Sequence, residues 1–557
     1  MATDGKPSAS ARKATPAQSR LVAALRALGV LQEQGVSVFK TSEFSRKDRE
    51  ALLSAGFLQP VIQGWYMSSG PLAKAGDTTP WTAGMKDFIA VYCNARFGAD
   101  WCMSAEYSLR LHAGTTLLPQ QVVVHSPLGK NSVLDLPNGF SLMDYQARDF
   151  PEPDRRDIVG SLRTMTLAQA LLKVPENFFR ASAEDAQVAL LSVGDASELN
   201  RLLAAGNHST IAGRLAGAFR AVGRVAIAED VVGFMRALGN QITESNPFAG
   251  PLRVVPGDRS ESPYVARLRL MWDSMRDDVA SAFPQDEPGR PDDVAAFMQA
   301  VEDVYVTDAY HSLSIEGYRV TPELIRRVAS GDWNEDTHAQ DRQSRDAMAA
   351  HGYWLAHNEV KESIRKNLDG ANAGDVLRQD HGAWFRAMFA PSVTAGLLAG
   401  SDLAGYRGHQ VYIRNAQHVP PPRDAVREMM PVLFELLRDE PSAAVRAVLG
   451  HFMFVFIHPY MDGNGRLGRF IMNAMLASGG FPWTVLRLEH REQYMAALDA
   501  ASGRSDISPF ASFVARSAGI ATDARADSLR DDSAVHAQAG DAQAEDDEPQ
   551  RSIGPRG

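Results

Sequence analysis

Twelve consecutive residues constrain this chain more than any other stretch: His458-Pro459-Tyr460-Met461-Asp462-Gly463-Asn464-Gly465-Arg466-Leu467-Gly468-Arg469. The apolar run before them, residues 445–457, follows Pro441 and reads as a buried element leading into a tight loop. Residues 470–478 predict a helix, stopped by Gly479 and Gly480. A glycine-rich loop that opens a buried helix suits a polyphosphate. Glycines let the backbone come close, and the first-turn N–H groups point at an anion with the helix dipole behind them. Arg466 and Arg469, three residues apart, share a helical face on which two guanidinium forks can clamp phosphate oxygens. Asp462 is a hard oxygen ligand, and Mg²⁺ often takes only one or two protein carboxylates and fills its shell with water and phosphate. His458, with an ordinary pKa of about 6.5, can accept a proton at neutral pH.

The glycines also spell Gly463-x-Gly465-x-x-Gly468, a dinucleotide fingerprint, and Glu489 falls near the spacing of a ribose-binding acid. However, residues 458–462 separate the apolar run from the first glycine, which breaks the tight strand-to-glycine turn, and NAD needs neither arginine. The stretch instead resembles the motif of the Fic (Fic/Doc) family, His-Pro-Phe-x-Asp-Gly-Asn-Gly-Arg-x-x-Arg, with Tyr460 in place of Phe. The resemblance implies a helical-bundle nucleotidyltransferase that moves AMP from ATP to a Tyr, Thr or Ser hydroxyl of a protein substrate. It makes His458 the general base and Asp462 the Mg²⁺ ligand. It also places Gly463, Asn464 and Gly465 around the phosphates, and Arg466 and Arg469 on the outer ones.

Weaker features support that reading. Residues 297–315 place apolar side chains on one face of a long helix that starts near Asp292. It ends in Ser312-Leu313-Ser314-Ile315-Glu316-Gly317, which resembles the inhibitory Ser/Thr-x-x-x-Glu-Gly/Asn motif of Fic proteins. A Ser–Glu pair four residues apart before a capping glycine is common by itself; its position ahead of a full Fic motif gives it meaning. Glu316 against Arg469 would occupy the guanidinium that should hold the γ-phosphate and leave the α-phosphate misaligned. Residues 405–422 alternate between bounding Gly and Pro and predict a β-hairpin, similar to the Fic flap that presents a target by strand addition. By that resemblance Val411, Tyr412, Ile413 and Arg414 lie near the nucleotide. Tyr494 reads either as an adenine neighbour or as a core tyrosine. Ser502 stands where many relatives carry Asn.

The chain has 557 residues, 45% hydrophobic and 22% charged, which predicts a globular protein of several domains. The net charge of −10 argues against a wholesale nucleic-acid binder. Cys93 and Cys102 suggest a reducing compartment and buried thiols rather than a redox pair. No run reaches the ~18 apolar residues of a membrane span, and the first twenty residues lack an apolar core. A cytoplasmic protein with no membrane partner is expected.

The expected organisation is a disordered stretch (1–18), a winged helix-turn-helix (19–75), an α+β accessory domain (76–246), a linker (247–263), the mainly α Fic domain with its inhibitory helix and small hairpin flap (264–520) and a disordered tail (521–557). The winged helix rests on helical spacing at 21–31, on Ser45-x-x-Asp48 opening a helix, and on a hairpin around Gln63-Gly64. Residues 57–66 weakly resemble AbiEi-type antitoxin regulators. Lys40, Arg46, Lys47 and Arg49 could meet DNA phosphates, but Glu43, Asp48 and Glu50 interleave them, so a docking or structural wing is equally open. His112, His125 and His208 have no metal-type spacing. The alternatives are removal of AMP with Glu316 orienting water, another nucleotide donor, and a DNA-binding regulator with an auxiliary Fic site. DNA and a second copy of the chain are the further partners admitted.

Overall fold

The computed structural model describes residues 15–70, 78–250, 252, 261–331, 345–414 and 416–520. Residues 1–14, most of the expected linker and the expected tail lie outside them. The fold is mainly α and divides into two compact units. One holds residues up to Asp273 with Tyr406–Leu433 and Phe456–Asp462; the other holds Ser274–Gly405, Phe434–Val455 and the chain from Gly463 on.

In the first unit, α1 (Pro16–Glu33) begins inside the stretch expected to be disordered. Thr15 and Gln18 form a reciprocal capping box there, which satisfies two donors at the helix start. β1 (Val38–Lys40), α2 (Arg46–Ser54), β2 (Leu58–Ile62) and β3 (Trp65–Ser68) follow, with Ser45 accepting from the Asp48 N–H and the sheet ordered β1-β3-β2. Ala24, Leu28, Phe39, Phe44, Leu52 and Leu58 form the small core of this module.

Next come α3 (Thr79–Phe97), β4 (Cys102–Met103), α4 (Ala105–His112), β5 (Gln121–Ser126), β6 (Ser132–Asp135), β7 (Ser141–Gln146), a hairpin of β8 (Arg156–Val159) and β9 (Leu162–Met165), and α5 (Leu167–Lys173). The sheet order is β4-β5-β7-β6, with β5 and β7 parallel. Five helices, α6 (Phe178–Ala181), α7 (Ala183–Leu191), α8 (Ser197–Ala205), α9 (Ser209–Ala221) and α10 (Val225–Ala237), complete the apolar core. Cys93 and Cys102 are buried and free, and burial pushes both thiols up to about 12, which leaves them unreactive.

Phe248, at the start of the expected linker, is core and packs edge-on to Phe179. In α11 (Pro263–Ser281), buried Arg267 donates to Glu184 and Asp185, each at 2.6 Å, and to the Ala113 carbonyl at 3.0 Å.

The second unit is a helical bundle: α12 (Val294–Ile315), α13 (Pro322–Ala329), α14 (Arg345–Leu368), α15 (Ala373–Thr394), the later part of α16 (Arg423–Asp439), α17 (Ala443–Ile457) up to Val455, α18 (Asn464–Ser478), α19 (Arg491–Arg504) and α20 (Ser508–Ser517). α18 is buried almost all round, as expected of a helix at the centre of a bundle. α14 and α15 meet at Gly352, where a Cβ would come within 1.9 Å of the Met388 carbonyl.

Candidate functional site

The start of α18 is built around two glycines with different tasks. Gly463 is its N-cap at φ +82°, a left-handed backbone that favours glycine, and a Cβ there would also press on Phe389 at 2.9 Å. Gly465 sits in the first turn, where a Cβ would stand 2.3 Å from Glu316 Oε1. The carboxylate of Glu316 therefore lies directly against the helix N-terminus, where an anion is favoured by the first-turn N–H groups and the dipole.

Glu316 reaches this place from the C-cap of α12, and Gly317 continues at φ +85° to end the helix. Its Oε1 accepts from Arg469 Nη2 at 2.8 Å. Arg469 also donates from Nε to Ser312 Oγ at 2.8 Å and from Nη2 to the Ser312 carbonyl at 3.0 Å. Burial works against the Arg469 charge, but Glu316 overcomes it and holds the guanidinium above its ordinary value. Ser312 and Glu316 thus grip one arginine as a pair, a role for which their i, i+4 spacing is required.

Arg466, equally buried, lies between the rings of Tyr318 and Phe389, at 5.2 and 5.1 Å from their centroids. It shares the helical face with Arg469, but the two guanidinium groups are held by different partners. Asn464 is buried beside them. Tyr494 stands in the core. It is 2% exposed, its hydroxyl meets His451 Nε2 at 2.8 Å, and its ring stacks on Phe513. Burial pushes its phenol up to about 12 and drives His451 down to about 3, so His451 is a neutral partner.

Within the first unit, His458 takes φ +53°, a left-handed backbone unusual for a non-glycine residue and one that surrounding structure must hold. The holder is Arg407, which sequence reading passed over. Buried Arg407 donates from Nε to the His458 carbonyl at 2.8 Å, from Nη1 to the His409 carbonyl at 3.0 Å, and from Nη2 to the Pro421 carbonyl, while its own N–H donates to the Pro459 carbonyl at 2.9 Å. Burial lowers its guanidinium to about 10, still charged at neutral pH. His418, buried and pushed down to about 4, sends Nε2 to the Phe456 carbonyl at 2.8 Å. Asp462 is exposed.

The expected hairpin flap does not form among the described residues of 405–422. Residues 405–414 form no strand, and Gln410 holds the segment through the Val411 and Pro420 carbonyls, at 3.1 and 2.7 Å. The return arm carries Pro420, Pro421 and Pro422, three successive residues without an N–H, so no ladder can form. Its start pairs instead with another part of the first unit, through an isolated bridge from His418 to Leu117 and the Val419 N–H on the Thr116 carbonyl at 2.7 Å. Val411, Tyr412 and Ile413 are half-buried and Arg414 is exposed. Burial raises the Tyr412 phenol, with Asp87 adding to it.

Residues 379–476 match the model of the Fic/DOC family. That span carries α18 up to residue 476, Gly463, Gly465, both arginines and His458. Among curated proteins, the chain is 30% identical over 223 residues to a protein adenylyltransferase Fic of Nematostella vectensis, covering 39% of this chain and 48% of the relative. It is 29% identical over 225 residues to the protein of the same name from Drosophila grimshawi, covering 40% and 43%. The chain thus spans about half the length of these relatives. Among solved structures, Fic-1 of C. elegans aligns at 20% identity and a TM-score of 0.34, over 64% of this chain and 98% of that one.

Proposed function

We propose that this protein is an adenylyltransferase that moves AMP from ATP to a hydroxyl of a protein substrate and that Glu316 restrains it. The observation that carries the reading is the carboxylate of Glu316, seated on Arg469 against Gly465 at the helix start, in a place suited to a phosphate. His458 takes the proton of the target hydroxyl, whose oxygen attacks the α-phosphorus. The bond from that phosphorus to the bridging oxygen breaks, and pyrophosphate leaves with the electron pair. Gly463 to Gly465 supply backbone N–H groups to the phosphates, and Arg469, once released by Glu316, meets the outermost one.

The donor set suits Mg²⁺: Asp462 offers one exposed carboxylate, and no group of three acidic, His or Cys side chains converges among the described residues. Bound there with phosphate and water, the ion would neutralise charge on the leaving group. Arg407 fixes the main chain of His458 and so positions the base. The relatives' printed names accord with this reaction.

In the N-terminal module, Arg46 is paired with Glu50, Arg49 donates to the Thr41 carbonyl and lies over Tyr66, and Lys40 lies over Trp65. With these cations engaged inside the module, a structural or docking wing is the reading we carry forward over DNA binding.

The test is incubation with α-labelled ATP and Mg²⁺, alone and with cell lysate. His458→Ala is expected to cut labelling by roughly 10²-fold or more, with an unchanged unfolding midpoint. Undiminished labelling by that variant refutes the base.

A further inference from the structure

The hold on Arg469 continues deeper into the bundle. Asp308, Ser312 and Glu316 follow one another at four-residue steps along α12, with Glu316 as its C-cap, so they share one side of the helix. Asp308 and Ser312 are buried, as is Tyr353 of α14. A carboxylate buried among helices needs hydrogen bonds or a counter-charge. Asp308 has both: the Tyr353 hydroxyl donates to its Oδ2 at 2.6 Å, and the Arg469 charge favours its ionised form.

Donor and acceptor chemistry sets the direction of each bond in this group. The Arg469 guanidinium can only donate, so Ser312 Oγ accepts from its Nε at 2.8 Å. The ionised Asp308 carboxylate can only accept, so the Tyr353 hydroxyl directs its proton there, and 2.6 Å is the length expected of an O–H on a carboxylate. The Ser312 proton is left to donate and the Tyr353 oxygen to accept, and Ser312 is the side-chain hydrogen-bond partner that lowers the Tyr353 phenol against the upward push of burial. One line of bonds thus runs from Asp308 through Tyr353 and Ser312 to Arg469, whose Nη2 meets Glu316 Oε1 at 2.8 Å.

Stability does not explain the carboxylate. Burial raises Asp308 to about 6, while Tyr353, Trp483 and Arg469 lower it. The group is ionised at neutral pH at a cost to the fold, a penalty that an apolar side chain of similar size would not carry. What the charge supplies is orientation. With the Tyr353 proton held by Asp308, only lone pairs face Ser312, and Ser312 Oγ in turn offers its own lone pairs to Arg469.

We propose that Asp308 and Tyr353 are positioning residues of the restraint: they orient the Ser312 hydroxyl so that Arg469 is held with Nη2 on Glu316 instead of turning to a phosphate. The inference rests on the reading of Glu316 as that restraint. Without the pair, Arg469 Nε loses its fixed acceptor, and the guanidinium leaves Glu316 more often.

The experiment measures AMP transfer from α-labelled ATP, at saturating ATP, by purified full-length protein in the parent and Glu316→Gly backgrounds. Tyr353→Phe removes the hydroxyl and keeps the ring that packs on Phe470, with centroids 4.7 Å apart. It should raise the rate about fivefold in the parent, the equivalent of one ordinary hydrogen bond, and change it less than about twofold in Glu316→Gly, where nothing is left to release. Asp308→Leu removes the acceptor and should match Tyr353→Phe, whereas Asp308→Asn keeps an acceptor and should raise the rate less. The two Asp308 variants carry the test even where Tyr353→Phe fails to fold. A merely structural pair would lower the rate in both backgrounds, and that result overturns the proposal. So does an equal rise in both backgrounds, or an unchanged rate in Tyr353→Phe while Glu316→Gly is faster than the parent. Equal rates in the parent and Glu316→Gly would instead overturn the reading of Glu316, and this inference with it.

Discussion

Two buried arginines, one in each unit, show how differently a fold can use the same side chain. Arg407 is 3% exposed, and its guanidinium donates to main-chain carbonyls. Neutral dipoles satisfy its donors without countering its charge, and burial lowers its pKa to about 10. Arg469 is 2% exposed, but it faces the formal charge of Glu316, which raises it against the pull of burial. Carbonyls tied into the chain cannot leave, so Arg407 is a permanent clasp. A carboxylate on a flexible side chain, one third exposed, can leave and be replaced by another anion. Arg407 therefore belongs to the architecture of the loop, and Arg469 to its chemistry.

That contrast can be broken at several points. The largest effect is expected for Arg469→Ala in the Glu316→Gly background, where AMP transfer should fall by roughly 10²-fold or more, because a charge aimed at the phosphates is lost. Little change in labelling would make Arg469 structural, like Arg407. Arg407→Ala should cost about 3 kcal/mol of stability, read from denaturant midpoints, because three carbonyls lose a charged donor together. Arg407→Lys should recover only part of that, since one ammonium cannot span the carbonyls of His458, His409 and Pro421. A fully stable Arg407→Ala protein would dissolve the comparison.

A smaller effect concerns pH. His357 and His451 in the second unit are held at about 3, and His418 in the first at about 4, all by burial. The unfolded chain binds more protons at these sites, so stability should fall as pH drops from about 6.5 towards those values. Asp308, raised by burial to about 6, works in the opposite sense: its stabilisation is complete below about 3.9 and is lost as pH rises through 6. With His311, His357, His381 and His451 all lowered by burial in the second unit, against Asp308 and Asp499 raised by it, the net slope between pH 6.5 and 4 should be loss on acidification, measured by chemical denaturation at several pH values. In His451→Phe that slope should be shallower.

What could be seen in the sequence depended on how local each feature is. The Gly463–Arg469 turn is contiguous, and the need for glycine at Gly463 follows from a backbone angle. Ser312 and Glu316 lie on adjacent turns of one helix, so their spacing is visible, although only the motif far downstream gave it a target. Arg407 was invisible because its acceptors are carbonyls, which every residue carries. The flap was misread because alternation suggested a ladder, whereas Pro420 to Pro422 removed the donors a ladder needs. The helix at Pro16 was missed because a capping box outweighed a composition typical of disorder.

The central claim is that Glu316 holds the place of a phosphate on Arg469. Its most direct test is the rate of AMP transfer from α-labelled ATP by purified Glu316→Gly protein, compared with the parent at equal concentration. The account predicts a rise of about tenfold or more as the guanidinium is released; equal rates in the two proteins would contradict it.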